Sequence, residues 1–327
     1  PTRSTLTIGL VAAACFLIIA ISAFQLSPNE GGTGGIEYVG TSDQPLFDAE
    51  VTLQSDGESA DSIAMIGLRM QDGDDASCRN LFQSQRPRLI GVTPDFIERM
   101  KTNESMQWAG SEAVEPADVA CPWRLLAPGS AEADAGPSDV IPVVLDKNTA
   151  MYGMQIYSGP GTTFERDYGD AGKLKFRIVG FLAGSIFQGN LLIPEDRLLE
   201  NFPLTSGYRY FVADTTEADA SVLEDRFSDE GLDLTSTEAL LTELLAVQNT
   251  YLSTFQSLGG LGLLLGTLGL AAVQVRNVVQ RRREFALMRA IGFRQQQLSG
   301  LILREHCLLL FGGLAVGTIA ALVVVLP

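Results

Sequence analysis

Residues 244–275 read LLAVQNTYLSTFQSLGGLGLLLGTLGLAAVQV, a run without one charged side chain. A helix rises 1.5 Å per residue, so about 20 apolar residues cover the roughly 30 Å of hydrocarbon in a bilayer. The most apolar part, Leu258 to Val275, comes close to that length. Two further stretches have the same character: Ser4 to Asn29 is uncharged with an apolar heart from Leu6 to Phe24, and Cys307 to Leu326 is again uncharged. Any one of them alone also reads as a buried core helix. The first also reads as a cleaved signal peptide, with Arg3 in its n-region and Ala20 and Ser22 near a cleavage point. That first stretch is longer than the usual signal core, and three such segments together point to a helical membrane protein.

Charge then sets orientation, because short loops rich in arginine stay in the cytoplasm. Between the second and third apolar segments, seven arginines (276, 281, 282, 283, 289, 294 and 304) face two glutamates (284 and 305), a net of +5. Residues 25–257 hold 15 basic against 37 acidic side chains, a net of −22. The basic loop is expected inside and the acidic block outside, with Arg3 inside. Over the 327 residues the net charge is −16, which disfavours binding to nucleic acid through its phosphates. A single histidine, His306, leaves no His-based triad and few zinc sites.

The block from 25 to 257 alternates strand-like and helix-like patterns, as an α/β domain does. Strands are expected at Ile63–Met70, Arg88–Val92, Val140–Leu145, Leu174–Leu182, Asn190–Ile193 and Tyr208–Ala213. Helices are expected at Asp95–Lys101, Glu195–Asn201, Ala218–Glu230 and from Thr237 onwards. KLKFRIVGF (173–181) opens with charged and apolar residues in alternation, the pattern of a strand with one wet face. EGGTGG (30–35) lacks the Lys-Ser or Lys-Thr of a phosphate loop and reads as a flexible exit from the membrane. AEADAGPS (131–138) has the composition of an exposed linker. Asp72, Asp74 and Asp75 imitate the start of a calcium loop, but the Gly and Glu required further on are missing, leaving a solvated acidic turn. No Gly-x-Ser-x-Gly elbow occurs, and no catalytic constellation emerges. Cys15 and Cys307 fall in apolar segments as small hydrophobes. Cys78 and Cys121 both fall outside, either as two buried thiols or as a disulfide contributing about 4 kcal/mol.

Thr235 and Glu238 have the spacing of a capping box, and from there Leu240, Leu244, Val247, Tyr251, Phe255 and Leu258 form one apolar seam. The seam crosses the expected membrane boundary, which favours one continuous stalk helix over a surface helix followed by a separate span. In VVQRRREFALMRAIGFRQQQLSGLILREH (278–306), Phe285, Leu287, Met288, Ile291 and Phe293 lie among arginines in a basic amphipathic pattern. Glu284 has the spacing to pair with Arg281 one turn earlier. Such a helix serves either as a lipid-headgroup anchor or as a docking helix for a soluble partner, and composition alone does not choose.

The run RRREFALMRAIG (281–292), followed by Phe293, Arg294, Gln297 and Leu298 and then by an apolar helix carrying Glu305, resembles the signature of the FtsX-like permease family. That family includes MacB-type exporters and lipoprotein-releasing permeases. IPVVLDKNTA, KFRIVGFLAGS, NLLIPEDRL and GYRYFV, within residues 140–214, resemble the MacB-like outer core domain. The resemblance implies α-helical transmembrane segments with a large extracytoplasmic α/β domain, in a bacterial inner membrane. Its plan is a first span (1–24), an outer domain (25–236), a stalk (237–257), a second span (258–275), a cytoplasmic coupling loop (276–306) and a third span (307–327).

The resemblance also implies a separate cytoplasmic ABC ATPase that binds the ATP. This chain has no P-loop, since Gly172-Lys173 continues as Leu174, and no cofactor of its own is expected. By resemblance, Arg281, Arg282, Arg283, Glu284, Leu287, Arg289, Ala290 and Gly292 form the ATPase contact, with Glu284 and Arg289 the most family-typical. ATP hydrolysis would then move the outer domain through the stalk, acting on lipids, lipoproteins, drugs or peptides without passage through the membrane. Family members carry three helices after the outer domain where this chain has two, and its opening resembles the second unit of a double-length permease. A second permease unit or a homodimer partner, along with membrane lipids, is therefore expected. The alternative within the resemblance is an FtsX-like regulator of a cell-wall hydrolase or a sensor kinase.

Overall fold

The computed structural model describes residues 2–23, 28–48, 50–53, 63–74, 76, 84–102, 106–127, 140–292 and 294–325. The chain divides into two compact units: residues 27–247, and residues 1–26 with 248–327. Along the chain, α1 (Thr2–Ala23) and a one-turn α2 (Glu30–Thr33) precede β1 (Tyr38–Leu46), β2 (Glu50–Leu53), β3 (Ile63–Gln71) and β4 (Arg88–Val92). Next come α3 (Pro94–Thr102), β5 (Trp108–Ser111), α4 (Pro116–Ala120), β6 (Val140–Asp146), β7 (Thr163–Asp167), β8 (Lys173–Leu182) and β9 (Asn190–Pro194). The rest is α5 (Glu195–Asn201), β10 (Tyr208–Asp214), α6 (Glu217–Arg226), β11 (Asp233–Ser236), α7 (Thr237–Gln280), α8 (Arg282–Ala290) and α9 (Gln295–Val325).

The larger unit is built on one mixed sheet in the order β11-β1-β10-β3-β4-β9-β6-β8-β5, with β2 added to β3 and β7 to β8. One half is antiparallel, from β11 through β3 to β4; the other contains the parallel pairs β4–β9 and β6–β8. Parallel strands are covered on both faces, and β6 and β9 are buried along almost their whole length. Alternation divides their side chains between two cores. Ile141, Val143 and Leu145 pack with Phe176, Ile178, Leu191 and Ile193 on one side, while Val144, Val179 and Leu192 pack with Phe96, Trp123 and Phe187 on the other. β8 holds this pattern despite a register shift at Val143/Val144 that sets Val179 as an extra residue opposite β6. Its first half keeps the expected wet face, with Lys173 and Lys175 exposed and Leu174 and Phe176 buried.

A third core lies on the antiparallel half, where Ala220 and Leu223 of α6 meet Met65, Phe211, Ala213 and Leu234. Thr216 begins α6, its hydroxyl accepting the Asp219 N–H at 3.4 Å. Trp123 sits in a 3₁₀ turn (Pro122–Leu126), edge-on to Phe96 at 5.2 Å and to Trp108 at 5.2 Å. β1, β2, β5, β7 and β11 escape sequence reading; in YVGTSDQPL of β1 a register shift between Thr41 and Leu46 breaks the period, while β7 alternates but is only five residues of mostly polar sequence.

EGGTGG is an ordered turn, which corrects the expectation of a flexible exit. Asn29 Oδ1 accepts the Gly32 N–H at 2.9 Å, Gly34 adopts φ 66°, and a Cβ on Gly32 would come within 2.7 Å of both the Gly184 carbonyl and Leu241. The helix start near Thr237 is as expected, but the capping box is not formed: Thr235 lies in β11 opposite Val39, and the Thr237 hydroxyl donates to the Ile36 carbonyl at 2.6 Å. Residues 131–138 lie outside the described residues.

In the smaller unit α1 packs against α9. Cβ atoms added to Gly313 and Gly317 would lie 2.9 Å from Val11 and 2.5 Å from the Ala12 carbonyl. Gly313-x-x-x-Gly317 with buried Ala321 lets the two backbones approach closely. Gln256 of α7 donates to the Ser22 hydroxyl at 3.1 Å, and beside that contact a cavity of about 370 Å³ is lined by apolar residues of α1 and α7. Along α7, Tyr251, Phe255, Leu258, Leu261, Leu264, Leu265 and Leu268 are each more than half exposed. Among the described residues, no helix is long and apolar enough to cross a membrane; several side chains of α1, α7 and α9 fall outside that set, and the three expected spans rest on sequence.

Candidate functional site

The basic loop folds into one short helix between two long ones. α7 ends at Gln280, Arg281 forms the turn, and the Arg281 carbonyl accepts the Phe285 N–H at 3.1 Å to start α8. At the other end the Leu287 carbonyl accepts from Ile291 at 3.1 Å, and Gly292 turns the chain with φ 109°, a conformation that side chains disfavour. Gln297 Oε1 then accepts the Arg294 N–H at 3.0 Å, which is the back-reaching half of a capping box and starts α9. These local bonds explain why RRREFALMRAIG and FRQQQL make two helices instead of one.

Arg281 pairs with Glu284 at 3.0 Å, as the spacing predicts, and its guanidinium lies 6.0 Å from the Phe285 ring centroid. Both charged partners are more than half exposed. Arg282, Arg283, Leu287 and Ala290 are also exposed. Arg289 is placed on α8, with its side chain outside the described residues. Three arginines at the start of a helix oppose its dipole, at a cost of some tenths of a kcal/mol each, and Glu284 offsets only part of this. The arrangement does little for the helix itself and presents cations beside an apolar strip formed by Leu287 and Ile291. Cations beside apolar side chains have the chemistry of a contact surface, and among the described residues no nucleophile with a partner lies on it.

The larger unit places its buried ionisable groups elsewhere. Asp146, at the end of β6, accepts backbone N–H groups of Ser185 at 2.6 Å and Asn148 at 2.8 Å. Burial nevertheless outweighs these bonds and pushes its carboxyl up to about 6. Tyr168 and Tyr210 are raised above the ordinary phenol value by burial. Asp72 pairs with Arg209 at 2.7 Å, and Asp74 accepts the N–H groups of Gln85 and Arg86 at 3.0 Å, so both carboxylates that imitate a calcium loop hold the domain together instead. Asp75 lies outside the described residues. Cys121 is a buried free thiol raised by desolvation, and Cys78, the other half of the expected bridge, lies outside the described residues. Cys15 and Cys307 are free and half-buried. The sequence reading missed the glycine seam of α9, although the Gly-x-x-x-Gly spacing in an apolar helix is a readable signal.

Residues 257–326 match the family described as FtsX-like permease C-terminal. The matched stretch contains the exposed α8 and runs from within α7 to the end of α9. Among solved structures, the chain is similar to the periplasmic region of MacB from Actinobacillus actinomycetemcomitans, at 13% identity over 64% of this chain and 94% of that one, with a TM-score of 0.30. It is also similar to the extracellular domain of the noncanonic ABC-type transporter YknZ from Gram-positive bacteria, at 10% identity over 61% of this chain and 99% of that one, with a TM-score of 0.25. Likenesses of that size carry no argument about mechanism. Among curated proteins none matches.

Proposed function

We propose that this chain is the permease part of an ABC-type system, in which a separate cytoplasmic ATPase docks on α8 and drives movement of an extracytoplasmic α/β domain. The observation that carries this reading is the exposed, dipole-opposed arginine cluster of α8 inside the FtsX-like region. The long apolar segments around Leu6–Phe24, Leu258–Val275 and Cys307–Leu326 are the membrane spans of this proposal, and the −22 block is outside. Arg281, Arg282, Arg283, Glu284, Leu287, Arg289, Ala290 and Gly292 form the ATPase contact, and the apolar face of α7 meets lipid or a second permease unit. The work is mechanotransmission: the outer domain acts on a lipid, lipoprotein, drug or peptide while the ATP stays with the partner. Copurification of an ATPase with tagged protein from gently solubilised membranes, lost in Glu284→Lys and Arg289→Glu, tests the reading; retention of the ATPase by both variants overturns the contact assignment. Recovery of a cell-wall hydrolase or a sensor kinase together with the ATPase, without export, would favour the regulatory form of the same machine.

A further inference from the structure

A second cavity, of about 310 Å³, lies in the outer unit against the first turns of α7. Its polar wall is built from Arg88, at the start of β4; Asn190, opposite it in β9; Gln188, just before that strand; and Tyr210 of β10. Gln188, Asn190 and Tyr210 are each more than nine-tenths buried. Its apolar wall includes Leu240 and Leu244 of α7.

One group on the polar wall has no protein partner among the described residues. The Arg88 Nε is buried without a hydrogen bond, and among the described residues Arg88 forms no ion pair. The Tyr210 side chain lines the same cavity, in the field of Arg88. A buried donor left unmade is costly, and here it stands beside a cavity with room for an acceptor. In the same unit Arg69 and Arg177 are matched, to Glu195 at 2.6 Å and to Glu112 at 2.8 Å.

We infer that this cavity is a binding site for a small carboxylate with a short apolar tail. The carboxylate would pair with the Arg88 guanidinium and accept from Tyr210, the planar acid–guanidinium match being the favoured geometry. The tail would lie on Leu240 and Leu244. Asp233, exposed at the rim, selects a single negative charge over a dianion such as a phosphate monoester. The volume limits the ligand to a head and a few carbons. This site stands apart from the ATPase contact, so failure of either leaves the other intact.

The test uses the full chain in lipid nanodiscs and 4,4,4-trifluorobutyrate observed by ¹⁹F NMR, with 4,4,4-trifluorobutan-1-ol as the matched neutral probe for partition into lipid. The expected result is saturable broadening of the carboxylate alone, competed by butyrate and weakened at least about tenfold in Arg88→Gln, with a smaller loss in Arg88→Lys. Leu240→Trp, at a half-buried position on the opposite wall, fills the cavity and should abolish the broadening even where Arg88→Gln fails to fold. Equal broadening of both probes, or carboxylate binding unchanged in Leu240→Trp, overturns the site.

Discussion

A Cβ on Gly317 of α9 would stand 2.5 Å from the carbonyl oxygen of Ala12 in α1, a distance that no side chain tolerates. The contact is backbone against helix surface, so nothing flexible can yield. Gly317→Leu should therefore separate α1 from α9, at a cost of about 1–3 kcal/mol from overpacking. Disulfide crosslinking between cysteines engineered along the two helices would fall sharply in the variant. Gly312→Ala, where a Cβ meets open space, should leave it unchanged.

The Arg281–Glu284 pair is an exposed i,i+3 contact and contributes at most about 0.5 kcal/mol. Glu284→Lys is thus expected to leave the thermal unfolding midpoint of the purified protein within about a degree of wild type. Loss of ATPase copurification at unchanged stability separates a docking role from a structural one. A marked fall in the midpoint would mean that the helix itself had melted.

Asp146 gives a pH dependence with a definite sign. Its folded carboxyl titrates near 6 against an ordinary value of 3.8, so the unfolded chain releases its proton first as pH rises. The buried acid therefore stabilises the fold relative to its ionised form below about pH 4, and this advantage, of order 3 kcal/mol, is lost as pH rises towards 6. Asp146→Asn should remove that slope from urea unfolding followed by tryptophan fluorescence. Below about pH 4 it should also lower stability by about 1–3 kcal/mol, because an amide N–H₂ cannot accept from Ser185.

Trp123 is 1% exposed and touches Phe96, Trp108 and Phe187 edge-on. Trp123→Ala should cost about 3–5 kcal/mol and make the larger unit readily cleaved by trypsin, whereas Trp123→Phe should retain most of the resistance.

Cys121 is buried and its thiol is raised, so native protein should react slowly with iodoacetamide. In denaturant without reductant Cys121 is expected to alkylate as a free thiol. Protection there until reductant is added would overturn this.

Much of this molecule is legible in order along the chain. The strands with continuous apolar runs, Val140–Asp146 and Asn190–Pro194, and the alternating start of β8 announce themselves because burial on two faces or on one face leaves different periods in the sequence. The basic run 281–292 and the glycine at its end define a helix and its stop, since both signals are local. The charge map and the apolar segments likewise need nothing beyond composition.

Other features depend on residues far apart in the chain. That Leu240 and Leu244 face Arg88 and Tyr210 across a cavity follows from strand order, with β10 and β9 brought to opposite sides of β3 and β4. That EGGTGG is ordered follows from its fit against Gly184 and Leu241, and that Thr235 pairs in a strand instead of capping a helix follows from the presence of β1 beside it. Periodicity and caps are short-range forces written in neighbouring residues. Cavities, unmatched charges and close backbone contacts arise only when the folded chain sets its distant segments side by side.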